Sequence, residues 1–299
     1  MRYLVTLCII LITSVNAWSK DAHKLIADIA AHFVSDSTRD DLLVTLGLKD
    51  WREFKNWMVS VSDWPDNYVT DSHFKEHPNY HFVHTNSTCG SYDEARDCGY
   101  GPTKGICLVT ALRYHIEVAT DKHAPADVRI ASLKHLIHYM GDVHQPLHVG
   151  FRSDFGGNML YVKGLSGLAL ESLHTVWDGR LLWNKTAELG SPHPMSLSYF
   201  VRSTPSIWSR FEGPLKNVDL TNPADVNLML SNLVSETSRE VTCRIYTNMA
   251  AIAPKKLFSG SVLTGDYIKQ SGNIVINQIR KAGIRLASLL NSISYYRSL

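Results

Sequence analysis

His135-Leu-Ile-His-Tyr-Met-Gly-Asp-Val-His-Gln-Pro-Leu-His148 places four histidines and one aspartate within fourteen residues, interleaved with large apolar side chains. His138 and Asp142 are four apart, so on a helix they lie one above the other on one face. Pro146 ends or bends that helix, because proline lacks an N–H and pushes the residue before it toward extended geometry. His148 then lies just past the helix end and can turn back toward the same cavity. Further along, His174 and Asp178 in Glu171-Ser-Leu-His-Thr-Val-Trp-Asp-Gly-Arg-Leu-Leu182 repeat the spacing. Leu170, Leu173, Val176, Trp177, Leu181 and Leu182 supply the apolar faces of that second helix. Two helical His/Asp pairs point to a metal centre. The competing explanation is a pair of His–Asp hydrogen bonds used as packing, since buried charged groups need partners and a metal is only one kind.

Upstream of these pairs, the first seventeen residues read as a secretory signal peptide. Arg2 gives a positive start, Tyr3 to Ile12 is almost wholly apolar, and Val15-Asn16-Ala17 is a small-residue cleavage site before Trp18. The expected organisation is therefore a signal peptide over 1–17 and one compact domain over 18–299, exported or secreted. The leader is too short to span a bilayer comfortably, and no later stretch is long and apolar enough to do so. Net charge is +2, or +1 once Arg2 is removed. That balance gives no global electrostatic argument for nucleic acid, so phosphate binding must come from a local feature.

Cys8 leaves with the leader, and Cys89, Cys98, Cys107 and Cys243 remain. An even number in an exported chain predicts two disulfides with three possible pairings, one of them long-range if all four pair. Asn86-Ser-Thr and Asn184-Lys-Thr are glycosylation sequons.

Periodicity predicts a mainly helical chain. Helices are expected from the start of the mature chain to Ser35, over Leu42–Leu48, Trp51–Met58, Ile106–Val118 and from Pro125 into the central stretch. Others are expected around His174, over Leu197–Trp208, Pro223–Met249 and Leu263–Leu290. Pro65 marks a helix start or break, and either Asp63 or Asp66 can serve as a cap there. The run 86–107 is too long for an ordinary connector and reads as irregular and cysteine-bridged. Met159-Leu-Tyr-Val162 is the one short strand, a hairpin partner closing on Lys163-Gly164. His135, Tyr139 and His144 are read as packing groups or as partners that orient ligands.

The candidate ligands are the amine and carbonyl of a new terminus at Trp18, then His23, Asp66, His81, His138, Asp142, His148, His174 and Asp178. Five imidazoles, three carboxylates and a terminus suit zinc, and nine ligand residues exceed what one zinc uses. Three metals sharing one bridging carboxylate fit the count. A free α-amine binds metal once deprotonated, an option that a chain starting at Met1 lacks.

These pieces resemble the S1/P1 nuclease family. The matching text is Trp18-Ser-Lys-Asp-Ala-His23, Trp64-Pro-Asp66, His81-Phe-Val, His138-Tyr-Met-Gly-Asp-Val-His-Gln-Pro-Leu-His148, Gly156-Gly157-Asn158 and His174-Thr-Val-Trp-Asp178. It spans 18–178 in the family's order, and the helical remainder carries no matching motif. The resemblance implies a single compact, mainly α domain of the zinc phospholipase C and P1 nuclease type, with a small β-hairpin. It implies three zinc ions: one held by Asp66, His81, His138 and Asp142, one by Trp18 and His23 with Asp142 as bridge, one by His148, His174 and Asp178. It suggests Cys89–Cys243 and Cys98–Cys107 as the disulfides.

The implied activity is zinc-dependent hydrolysis of P–O3′ bonds in single-stranded DNA and RNA. The products are 5′-nucleotides, and 3′-nucleotides are a limiting substrate. Asp66 and Asp142 are the carboxylates nearest the chemistry. Two close zincs supply hydroxide from a bridging water, and the third stabilises the leaving oxygen. Phe82 matches the base-stacking aromatic. His84 stands where the family usually has aspartate or asparagine, and Val69 where an arginine is common. Lys75, Arg96 and Lys104 are candidate replacements for that arginine. A monomer without stable membrane association is the default. A phospholipase C of the same metal and fold type is the main alternative, and a secreted structural metalloprotein the second.

Overall fold

The computed structural model describes residues 18–67, 76–86, 89–165, 167, 169–203, 211–248 and 255–298. The expected signal peptide, Val69 and Lys75 lie outside the described residues. Helix α1 (Lys20–Phe33) buries Ala22, Leu25, Ile26, Ile29 and Ala30, the apolar side expected from its spacing. Helices α2 (Asp36–Leu46) and α3 (Trp51–Val61) follow. The Ser35 hydroxyl accepts from the Thr38 N–H and the Asp50 carboxylate from the Glu53 N–H, so each start is set by a side-chain cap. Gly47, at φ 66°, ends α2 in the left-handed conformation that costs glycine least.

Helix α4 (Leu108–Thr120) lies against α5 (Ala126–Asp142), which carries the central stretch. Helix α5 stops at Asp142, four residues before Pro146, and turns carry the chain on to His148. Helix α6 (Leu181–Glu188), α7 (Pro223–Thr237) and the 34-residue α8 (Gly265–Ser298) complete the frame. The most extensive helix pair is α1 with α8. Gly283 permits it: a Cβ there would lie 2.5 Å from Ile29 Cγ2. Burying Ile26, Ile29, Val275, Ile279 and Leu286 supplies about 1.5–3 kcal/mol each against exposure.

Strand content is as slight as expected. Strands β1 (Tyr161–Val162) and β2 (Glu171–Ser172) form an antiparallel pair, Tyr161 opposite Ser172, so the chain does turn back after Lys163-Gly164. A second pair, β3 (Thr247–Asn248) with β4 (Lys255–Lys256), was not anticipated. It cuts short the helix expected through Met249, where the last helical turn is Cys243–Ile245. The helix expected over Leu197–Trp208 covers Ser198–Arg202, and its remainder from 204 lies outside the described residues. Cys89–Cys243 and Cys98–Cys107 are both bonded, as the resemblance suggested. The first ties the irregular 89–107 segment to the far end of the chain.

Candidate metal centre

Helix α5 presents His138 and Asp142 from one face of its last turn, with His138 Nε2 3.2 Å from Asp142 Oδ2. The other carboxylate oxygen, Oδ1, lies 3.3 Å from His23 Nε2 on α1, and the His23 and His138 rings stack with centroids 3.9 Å apart. His81 Nδ1 sits 3.0 Å from His138 Nε2 and 3.2 Å from Asp142 Oδ2. Asp66, on the single turn Pro65–Asn67, brings Oδ1 to 3.4 Å from His138 Nε2. Among the described residues neither Asp63 nor Asp66 is a side-chain cap: Asp63 pairs with the exposed Lys20, and Asp66 faces the cluster.

A neighbouring group is built on the later segment. His174 Nε2 is 3.4 Å from Asp178 Oδ2, and His148 Nε2 is 3.7 Å from Asp178 Oδ1. The His174–Asp178 step is not regular helix. Val176–Arg180 forms a π-turn, the kind of bulge often found at functional sites. His148 Nδ1 lies 3.6 Å from Asp142 Oδ1, so Asp142 stands between the two groups. Three sets can each hold a metal ion: His23, His138 and Asp142; Asp66, His81 and His138; His148, His174 and Asp178.

The backbone aims these rings. The Nδ1–H groups of His138, His148 and His174 donate to the carbonyls of Ser62, His81 and Gly156, over 2.8, 2.7 and 2.7 Å. Each bond fixes the tautomer that leaves a lone pair on Nε2 facing the cluster. The Gly156 carbonyl reaches His174 because Gly156 adopts φ 62° against Leu147, where a Cβ would meet the Leu147 carbonyl oxygen at 2.3 Å. Inside the site, Nε2 of His23, His148 and His174 and Oδ1 of Asp142 are buried and have no hydrogen-bond partner. Buried polar atoms left so cost free energy, and a coordinated cation is the partner that imidazole lone pairs and a carboxylate share. The residues present therefore fit metal.

Charge agrees with geometry. Burial works against ionised Asp142, yet the His138 charge, with His23 and His81 close beside the carboxylate, holds its carboxyl well below the usual range. Burial and the neighbouring His138 push His23 down. Burial likewise lowers His174, with the nearby Asp178 only partly offsetting it. Asp142 is thus held ionised and His23 and His174 neutral, while the carboxylates beside His81, His138 and His148 push those three up against their burial. Metal binding would displace their protons, since a ligating imidazole must be neutral.

Trp18 is fully buried, and its indole Nε1–H donates to the Gly141 carbonyl at 2.9 Å. The Ser19 N–H donates to the Asp178 carbonyl at 2.8 Å, so the Trp18-Ser19 pair spans both groups of ligands. Phe82 stacks on His84 with centroids 4.4 Å apart, and both line a narrow pocket with Asn79, Tyr100, Ile106 and Arg152. Burial, then His174 and His148, push His84 down to about 3, so it is a neutral ring at ordinary pH. Of the cations offered in place of the missing arginine, Arg96 is engaged by Asp97. Lys104 is exposed.

Sequence reasoning missed two side chains. Gln145 donates its amide N–H to Asp178 Oδ1 at 2.5 Å, although it stands inside the quoted motif. Glu76, five residues before His81, accepts from Tyr139 and lies against both His81 and His135. A lone acid in a histidine-rich run was the available signal.

The S1/P1 nuclease sequence pattern matches residues 18–295. This chain belongs to the S1/P1 nuclease family. The S1/P1 match covers the helical remainder as well as the motifs, and it sets the nuclease reading above the phospholipase alternative. As a member of the family the chain is a nuclease, a hydrolase of phosphodiesters. It is similar to Endonuclease 5 of Arabidopsis thaliana, 26% identical over 92% of this chain and 90% of that protein. It is similar to Nuclease S1 of Aspergillus oryzae, 25% identical over 93% of this chain and 92% of that protein. Nuclease P1 of Penicillium citrinum matches at 27% over 54% of this chain and 57% of its own length.

Proposed function

We propose that this nuclease is a three-zinc enzyme that cleaves P–O3′ bonds of single-stranded DNA and RNA and releases 5′-nucleotides, with 3′-nucleotides as minimal substrates. The observation that carries the reading is Asp142 standing beside His23, His138 and His148, with Nε2 of His23, His148 and His174 buried without a hydrogen-bond partner and the Phe82 and His84 rings close by. Asp66, His81, His138 and Asp142 would hold one zinc. His23, Asp142 and the amine and carbonyl of Trp18 would hold a second, and His148, His174 and Asp178 a third. Bound zinc supplies hydroxide at mild pH and positive charge for the phosphoryl and leaving oxygens.

The chain's own residues do the rest. Asp142 and Asp66 keep their negative charge and orient the cations, and Gln145 fixes the carboxylate of Asp178. Phe82 takes a base on its face, a contact worth about 1–3 kcal/mol and tolerant of sequence. A base inside a duplex cannot reach that face, which favours single strands. Neutral His84 offers a ring nitrogen to the base edge in place of a carboxylate. Arg152 lines the same pocket, its guanidinium donating to the Arg96 carbonyl and lying over the Tyr100 ring.

The Trp18 amine requires removal of 1–17, so the enzyme is exported, and its two disulfides suit an oxidising compartment. Among the described residues no helix is long and apolar enough to cross a membrane. All three ligand groups form within one chain, so a monomer suffices. Asn184 is exposed and Asn86 half-buried, which makes Asn184 the more accessible glycan acceptor. The test is to incubate processed protein with single-stranded DNA, RNA and phosphatidylcholine before and after chelation, with zinc quantified in the same sample. About three zincs per chain and chelator-sensitive release of 5′-nucleotides support the reading. Zinc occupancy with inert nucleic acid and cleaved lipid overturns it.

A further inference from the structure

The histidines of the centre are not all held the same way. His138, His148 and His174 donate Nδ1–H to backbone carbonyls and turn Nε2 inward. His81 is reversed: Nδ1 faces His138, Asp142 and Asp66, and Nε2 points outward to a carboxylate oxygen, Glu76 Oε1, at 3.3 Å. Glu76 is itself buried, and a buried carboxylate persists only where it is compensated. The Tyr139 hydroxyl donates to it at 2.8 Å, and its Oε2 lies 3.0 Å from His135 Nε2. Tyr139 and His135 belong to α5, the helix that also carries His138 and Asp142. Glu76 thus couples the loop histidine to the helix that supplies the other ligands.

We propose that Glu76 is a positioning residue that holds His81 with Nδ1 toward the metal and strengthens it as a ligand, forming a carboxylate–histidine–metal relay. The inference rests on the reading that the Asp66, His81 and His138 group binds metal. A carboxylate holds an imidazole N–H more strongly than a neutral carbonyl does, and it raises the electron density of the opposite nitrogen. A loop residue needs this more than a helical one, because His81 ends a single 3₁₀ turn, Pro78–His81, with no helix to fix its ring. Tyr139 and His135, read from sequence as packing or orienting groups, acquire a specific role in keeping the Glu76 carboxylate in place.

The test is a zinc-competition titration on processed protein against a chelator of known affinity, with thermal melting of the zinc-free forms run alongside. The variants are Glu76→Ala, Glu76→Gln, Tyr139→Phe and His81→Ala. The expected result for Glu76→Ala is one zinc equivalent bound about 10–100-fold more weakly, with the others unchanged. Glu76→Gln keeps an acceptor near His81 Nε2 and is expected to recover part of the loss. Tyr139→Phe is expected to weaken the same equivalent by a smaller factor. His81→Ala should remove that equivalent. Parental zinc affinity in both Glu76 variants overturns the proposal, and so does a lowered zinc-free melting temperature with no change in affinity. Parent protein that binds no zinc, or His81→Ala that keeps every equivalent, overturns the metal-site reading itself.

Discussion

Asp142 Oδ1 on α5 lies 3.3 Å from His23 Nε2 on α1, with both side chains fully buried. The other oxygen of Asp142 serves His138. One carboxylate therefore joins two helices, and the same Oδ2 lies 3.2 Å from His81 Nδ1 of a second candidate set. Asp142→Asn keeps the shape and removes the charge. The expected outcome is loss of about two zinc equivalents and a fall in turnover on the order of a thousandfold. Metal analysis beside a single-stranded DNA assay checks both. His148→Ala, by contrast, should release about one equivalent and leave the rest.

Trp18 makes a second prediction. Its anchor to the Gly141 carbonyl is made by the indole N–H and not by the backbone amine, so an extended chain should still fold. Protein produced with one extra residue before Trp18 offers an amide in place of an amine. It is expected to melt near the parent in the zinc-free state yet bind about one zinc fewer and lose most activity. Intact-mass measurement under native conditions reads the metal count.

Phe82 lines a pocket and packs face to face with His84. Phe82→Ala is expected to raise KM for oligonucleotides on the order of 10–100-fold, through loss of about 1–3 kcal/mol of stacking. Zinc content should stay constant, since the ligand His81 next door is held through its own ring. Steady-state kinetics with a metal assay separates a stacking role from a structural one.

His144 supports a pH prediction. Nδ1–H donates to the Met140 carbonyl, and Nε2 accepts from the Arg285 guanidinium. Burial, then Arg285, push its pKa down to about 3. Between an unfolded value of about 6.5 and that folded value, the unfolded chain binds a proton that the folded one does not. Stability from this group is complete above the unfolded value and declines as pH falls. Against His144→Gln, zinc-free parent should lose about 1.4 kcal/mol of its advantage per pH unit below about 6.5. Urea unfolding at several pH values measures it.

Gly283 concerns the frame rather than the site. A methyl at that position meets Ile29 at 2.5 Å within the α1–α8 contact. Gly283→Ala is expected to cost about 1–3 kcal/mol despite the better helix propensity of alanine. Thermal melting reads the loss, and Ile29→Val, which trims the facing side chain, should relieve part of it in the double variant.

Residue spacing alone made much of this legible. His138 and Asp142 at i and i+4, Pro146 beyond them and His148 after the turn follow from helix geometry. So does the run of apolar residues that buries α1. Gly47, Pro125 and Pro223 marked the helix ends beside them. Less legible were the π-turn under His174 and Asp178 and the β3–β4 pair, because both depend on what packs beside them. Spacing alone left the disulfide pairing among three possibilities; the family resemblance suggested Cys89–Cys243, and the fold brings those two together.

The sequence by itself determined the kinds of ligand atom, their grouping by helical period and the mainly helical class, because these are local consequences of side-chain chemistry and backbone periodicity. Tertiary structure alone decided which nitrogen of each histidine faces inward. It also decided that Asp142 stands between both groups and that Glu76 reaches His81. Each of those depends on a partner far away in the chain, such as the Ser62 carbonyl behind His138 or His23 opposite Asp142. No local spacing encodes a contact that exists only once distant segments have packed.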